Sequence, residues 1–204
     1  MCAFNVRNGW YNRRDILKLC SWPESVDVSC VATDPVRNNI LVGGCDSKDV
    51  YVFTDELKYC HTLTLSELAK YPHDMAVIDD TLLVCDFYGG RAYVFSMDGL
   101  EVKYLQEFAK PLLDGDNWSP FSMCTDKNRF AYVLWRERDW LGSACVLRYS
   151  PDGRQITTFT PVDNDARYIT ITEADQSQKL VIATGSSGKL YIHKLGIPLC
   201  NETK

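Results

Sequence analysis

From Pro72 to Phe108 the chain reads PHDMAVIDDTLLVCDFYGGRAYVFSMDGLEVKYLQEF, and this stretch most narrows what the chain can fold into. Four short runs, 75–78, 82–85, 92–96 and 102–108, are apolar or alternate apolar with polar residues. Each is too short for a stable helix, and period-two alternation turns one face of an extended strand inward. Asp79-Asp80, Tyr88-Gly89-Gly90 and Asp98-Gly99 separate the runs, and these residue types tolerate the positive φ that tight turns need. Turns this short make consecutive strands antiparallel neighbours, so the stretch predicts a four-stranded meander.

The same order recurs along the chain. ILVGG at 40–44 precedes VYVF at 50–53, LLVCD at 82–86 precedes AYVF at 92–95, FAYVL at 130–134 precedes CVLRY at 145–149, and LVIAT at 180–184 precedes LYIH at 190–193. Setting Leu41, Leu83, Tyr132 and Val181 in register spaces the units 42, 49 and 49 positions apart. Periods of about 40–50 residues belong to propeller blades. The fold class read from the pattern is all-β, a β-propeller of about four antiparallel blades at 28–65, 72–108, 120–162 and 166–204, after a lead-in over 1–27 that holds one strand, 16–20. The fourth unit shows no fourth strand, and the strand at 16–20 is expected to complete it by pairing beside 190–194, which would remove an exposed sheet edge. Four units fit either a small closed ring or part of a larger propeller. On this register Val84, Val94, Val181 and Ile192 are expected to be buried between blades, and 65–70, with Ser66 as its cap, to form a helical turn.

The order of a buried run, Asp or Gly, a short loop and then apolar-Tyr-Val-Phe resembles the NHL repeat, most closely in LLVCDFYGGRAYVFSMDG. Asp86 and Arg91 stand where that repeat carries its Asp and Arg, and an ion pair bracing the turn is the role expected of them. The resemblance implies a module that docks a protein, as NHL domains do at the end of tripartite-motif ubiquitin ligases. The sequence holds no RING, B-box or coiled coil. The family also includes enzymes, so a metal-dependent propeller hydrolase or lyase with its site at the channel mouth stands as the alternative.

Composition narrows the function classes. With 46% hydrophobic residues the 204-residue chain can bury a core without disulfides or metals. Nine cysteines lie singly, an odd number without CxxC spacing, and several fall inside strand runs, which predicts buried free thiols in a reducing, cytoplasmic setting. No run reaches the roughly 18 apolar residues of a membrane helix, and the first residues, MCAFNVRNGWYNRRD, lack the apolar core of a signal peptide. The net charge of −5 argues against a nucleic-acid partner, whose phosphates demand a basic surplus, and for a protein partner. An RNA-binding surface would require lysine and arginine gathered on one face.

Catalytic and metal signals are weak. The three histidines, His61, His73 and His193, fall in three different units with no metal-ligand spacing, and the DGDN run at 114–117 lacks the spacing of a calcium loop. There is no GxSxG, P-loop or GxGxxG. No catalytic or metal residue and no cofactor is assigned. The candidates are the two longest departures from the blade pattern, the 109–119 connection with Trp118 and the 136–142 loop with Arg136, Arg138 and Trp140. Tryptophan and arginine dominate interface energies, so these four residues are expected to lie exposed on one face and form a partner-binding patch.

Overall fold

The computed structural model describes residues 3–6, 9–12, 27–45, 47–65, 67–111, 117–138, 142–159, 164–174 and 177–195. It is all-β, with four antiparallel sheets following one another as the blades of a propeller. Blade 1 comprises β3 (Asp27–Asp34), β4 (Asn39–Cys45), β5 (Asp49–Thr54) and β6 (Tyr59–Thr64). Blade 2 is β7 (Pro72–Ile78), β8 (Thr81–Asp86), β9 (Arg91–Asp98) and β10 (Glu101–Glu107). Blade 3 is β11 (Trp118–Thr125), β12 (Ala131–Glu137), β13 (Ala144–Tyr149) and β14 (Gln155–Phe159). Blade 4 has three described strands, β15 (Ala166–Ala174), β16 (Ser177–Thr184) and β17 (Leu190–Lys194). Ahead of them β1 (Ala3–Val6) and β2 (Gly9–Asn12) pair as a separate antiparallel hairpin.

The repeat register read from the sequence is the register of the structure. Each blade's first strand carries a bulge against its second, skipping Ser29, His73, Phe121 and Arg167 in turn. Gly43, Cys85, Leu134 and Ala183 follow these bulges on the second strands, two positions after Leu41, Leu83, Tyr132 and Val181 respectively. The four residues are therefore structurally equivalent. Inner strands pack side by side in chain order, β3 on β7, β7 on β11 and β11 on β15. A bulge at the same point of each strand adds twist where the strands crowd towards a common axis.

Three apolar cores lie between successive blades. Leu41, Val52 and Leu63 of blade 1 meet Met75, Val84 and Phe95 of blade 2. Leu83 and Val94 meet Trp118, Val133, Trp135 and Leu147, and Tyr132, Leu134 and Val146 meet Ile169, Leu180 and Ile182. Alternation along a strand thus gives one side chain to the blade before and the next to the blade after.

Val84 and Val94 are buried as expected. Val181 is only half-buried and Ile192 is exposed, which corrects the expectation for these two. Their face is equivalent to the one that blades 1–3 turn towards the next blade, and no described sheet follows blade 4. Asp86 does brace its turn, but through backbone: its carboxylate accepts from the N–H of Gly89 (2.7 Å) and of Lys70 (3.1 Å). Arg91 instead pairs with Glu107 of the outer strand, since both project from the face that β9 and β10 share. Residues 67–70 form turn and irregular backbone rather than a helix, because Tyr93 and Asp86 already bind the carbonyl of Leu68 and the N–H of Lys70. The strand expected at 16–20, the cap Ser66 and residues 114–116 lie outside the described residues.

Candidate interaction surface

In each blade the start of the first strand pairs with the end of the second: Asp27 with Cys45, Pro72 with Asp86, Trp118 with Glu137 and Ala166 with Thr184. The loop between the second and third strands therefore lies at the same end as the start of the inner strand. That end gathers the polar and aromatic side chains that the blade cores leave out.

The bulges organise its centre. Ser29 donates its hydroxyl to the carbonyl of Pro72, joining blades 1 and 2. His73 donates Nδ1–H to the carbonyl of Phe121 (2.8 Å) and lays its ring 4.4 Å from the Phe121 ring, joining blades 2 and 3. Burial holds the His73 pKa below the usual imidazole value, so this neutral tautomer is the stable one. Around Phe121 stand Phe87, edge-on at 5.4 Å, and the guanidinium groups of Arg136 and Arg167 at 5.0 and 5.7 Å. One residue further along β7, half-buried Asp74 accepts from Ser122 Oγ (2.7 Å), Met123 N–H (2.8 Å) and Met75 N–H (2.9 Å). Ser122 Oγ accepts in turn from the N–H of Ile169 (3.2 Å), so one polar chain ties blades 2, 3 and 4.

The sequence candidates separate. Trp118 is buried at 3% exposure in the core between blades 2 and 3, and its indole N–H has no acceptor among the described residues. The long connection before it ends where β11 begins, so its side chain counts as the first core position of blade 3. Arg136 is also buried, on the last turn of β12, where its Nη2 donates to the carbonyl of Asn164 (3.1 Å). Burial, and the neighbouring charge of Arg167, lower its pKa. Trp140 lies outside the described residues. Arg138 is exposed, as the sequence led one to expect.

Arg138 sits across the seam between blades 2 and 3. Its Nε donates to Ser119 Oγ (2.9 Å), its Nη2 donates to the carbonyl of Tyr88 (2.8 Å), and its own N–H donates to the carbonyl of Asn117 (2.9 Å). The turn opposite is shaped to admit it. Gly90 has φ +67°, and a Cβ there would stand 2.7 Å from Arg138 Nη2. Tyr88, 62% exposed, is steadied edge-on by Tyr71 (5.5 Å) and Phe87 (5.4 Å). The guanidinium is thus fixed on the backbone of an exposed aromatic residue.

The partners of this arginine differ from those of six others. Arg37, Arg91, Arg129, Arg148, Arg154 and Arg167 each face a carboxylate of this chain. Among the described residues Arg138 is held by neutral oxygens alone. Its positive charge is therefore oriented but not neutralised. Tyr88, Ser119 and Phe121 were not legible as site residues in the sequence. The one signal was an aromatic pair immediately before the two turn glycines, FYGG.

Among the described residues no three histidine, cysteine, aspartate or glutamate side chains gather so as to hold a metal ion. His61, His73 and His193 stand on an outer strand of blade 1, the inner strand of blade 2 and the last described strand of blade 4. Cys60, Cys85, Cys124 and Cys145 are free thiols, and burial raises the pKa of Cys85, Cys124 and Cys145, which makes them poor nucleophiles. No described helix is long and apolar enough to cross a membrane.

No family model and no curated protein matches the chain. Solved structures do. The β-propeller domain of Myceliophteria thermophila Cps50 (Swd1) superposes with a TM-score of 0.60 at 10% identity, over 87% of this chain and 59% of that one. A streptogramin B lyase gives 0.55 at 12% identity over 83% and 55%, and Kuenenia stuttgartiensis hydrazine synthase gives 0.55 at 10% over 85% and 46%. At such identities the likeness shows the fold, a β-propeller, and the chain spans about half the length of these neighbours.

Proposed function

We propose that the chain is a protein-interaction scaffold without catalysis of its own, and that its docking surface is the seam of blades 2 and 3 at Tyr88 and Arg138. The observation that carries this reading is Arg138 itself. Its guanidinium is held in place by Ser119 Oγ and the backbone carbonyl of exposed Tyr88, with no carboxylate among the described residues to neutralise it. An arginine ordered before binding loses little side-chain entropy on contact, and arginine with tyrosine is the pairing richest in interface anchors. A carboxylate completes such a site with charge-assisted hydrogen bonds, so the partner presents an acidic segment. Trp140, two residues beyond Arg138 in the same loop, belongs to the proposed surface on sequence grounds. Trp118 and Arg136 support it from within the fold.

Fluorescein-labelled peptides of equal length that are Asp/Glu-rich, neutral or Lys-rich supply the test, by anisotropy titration. The acidic set binds and the Lys-rich set does not. Arg138→Gln and Tyr88→Ala each weaken binding by about ten-fold or more, equivalent to about 1.4 kcal/mol, without lowering the melting temperature. Equal affinity for all three sets, or binding unchanged in both variants, overturns the reading.

A further inference from the structure

The seam of blades 2 and 3 carries a second feature, at the end opposite Tyr88 and Arg138. A cleft of about 330 Å³, part of it open to solvent, lies there between the β7–β8 and β11–β12 turns. Its floor is apolar, with Leu83, Val94, Phe108 and Ala131, while Thr81 and Arg129 stand at its rim. The repeat explains the space. Ile40, Leu82, Ala131 and Leu180 each precede the register residues Leu41, Leu83, Tyr132 and Val181, so the four positions are equivalent. Leu82 fills its place in the core between blades 1 and 2, and Leu180 fills its place in the core between blades 3 and 4. Of the four blades only blade 3 has alanine at this position, facing blade 2. Cores are otherwise packed nearly without voids, and the cleft lies where the isopropyl end of a leucine is missing.

Arg129 departs from the repeat as well. Asn38 stands two positions before Ile40, as Arg129 does before Ala131, and both residues hold a positive φ, +56° and +67°. Asparagine adopts this left-handed conformation readily and arginine seldom does. Bracing the seam does not account for the arginine. Its ion pair with Asp79 (2.9 Å, through Nε) joins side chains that are 58% and 57% exposed, and pairs so exposed contribute little. Strained residues persist where a site requires them. No hydrogen bond to a described residue engages Nη1 or Nη2, so the planar fork that takes a carboxylate is available at the rim of the cleft.

We propose that the cleft binds a small branched aliphatic carboxylate, its isopropyl end against Ala131 and its carboxylate on the Arg129 guanidinium. An apolar floor with one well-placed polar group at the mouth is the usual form of a small-molecule site. A purely apolar ligand would leave the guanidinium unused, and an inorganic anion would leave the floor empty. The same two groups occur together in a free branched-chain acid and at the end of a peptide that finishes in leucine. The site lies at the other end of the seam from Tyr88 and Arg138, so its test is independent of the docking surface there.

Titration of the isotope-labelled full chain with isocaproate to about 10 mM, followed by its amide chemical shifts, supplies the test. Saturable shifts are expected at Thr81, Arg129 and Ala131. Isocaproamide, neutral and of the same shape, is expected to bind at least about ten-fold more weakly, and Arg129→Gln to weaken isocaproate binding by a similar factor. Ala131→Leu puts into the cleft the side chain that blades 2 and 4 carry at the equivalent position. It is expected to abolish binding and to melt no lower than wild type. N-acetyl-glycyl-leucine separates the two sources: tighter binding than isocaproate marks the ligand as a peptide terminus, and otherwise it is a free acid. The absence of saturable shifts with either acid, equal affinity for acid and amide, binding that survives Arg129→Gln or Ala131→Leu, or an Ala131→Leu protein that melts lower than wild type each overturns the proposal.

Discussion

Asp74 joins three blades through a carboxyl group largely withdrawn from water and held by three hydrogen-bond donors. Burial pushes its pKa up to about 6, and the hydrogen bonds from Met123, Ser122 and Met75 pull it back only in part. An aspartate in the unfolded chain titrates near its ordinary value of about 4. Between these two values the folded protein therefore holds a proton that the unfolded chain has lost. With more protons bound in the native state, stability falls as pH rises through this window, and above about pH 6 the full cost of an ionised buried carboxylate is in place. The cost is at most about 3 kcal/mol, two pKa units at about 1.4 kcal/mol each. Asn at this position still accepts from Met123 N–H and has no charge to desolvate. Urea unfolding at pH 4.5 and pH 7 is expected to show wild type losing stability relative to Asp74→Asn over that interval. An identical difference between the two proteins at both pH values would remove Asp74 as the cause.

At the scale of elements, the sequence is informative wherever a pattern repeats and silent wherever contact is made between repeats. Strands β4, β5, β8 and β9 coincide closely with apolar runs bounded by turn residues, because burial on both faces leaves no room for a polar side chain. Tyr88-Gly89-Gly90 was legible as a turn, but not as the seat of Arg138, since that depends on a side chain 50 residues away. Trp118 misleads for the same reason: a tryptophan beside a long polar connection looks exposed until the strand it begins is known. The turn makes a separable prediction. Gly90→Ala places a Cβ against Arg138 Nη2 at a φ of +67°, so it costs about 1 kcal/mol in backbone strain and moves the guanidinium as well. Gly99→Ala meets the same strain at φ +59° with open space around it. Both variants are expected to melt slightly lower, and only Gly90→Ala to weaken binding of acidic peptides. Equal binding by the two would mean that Arg138 is not positioned by this turn.

Over the whole molecule, stability is graded along the row of blades. Blades 2 and 3 are packed on both faces, and their central strands β8 and β12 consist almost wholly of buried residues. Among the described residues blade 4 is packed on one face, and its strand β17 alternates exposed and half-buried positions along an edge with no further described strand. Arrays of this kind gain stability from nearest-neighbour interfaces, so the unit with one interface opens at lower free energy than those with two. Hydrogen exchange on the chain reads this gradient directly. Amides of β16 and β17 are expected to exchange through a partial opening, well before those of β8 and β12, whose exchange follows global unfolding. Uniform protection across all four blades would show that the sheets unfold as one unit. The exposed face would then be a surface feature without consequence for the order in which the fold comes apart.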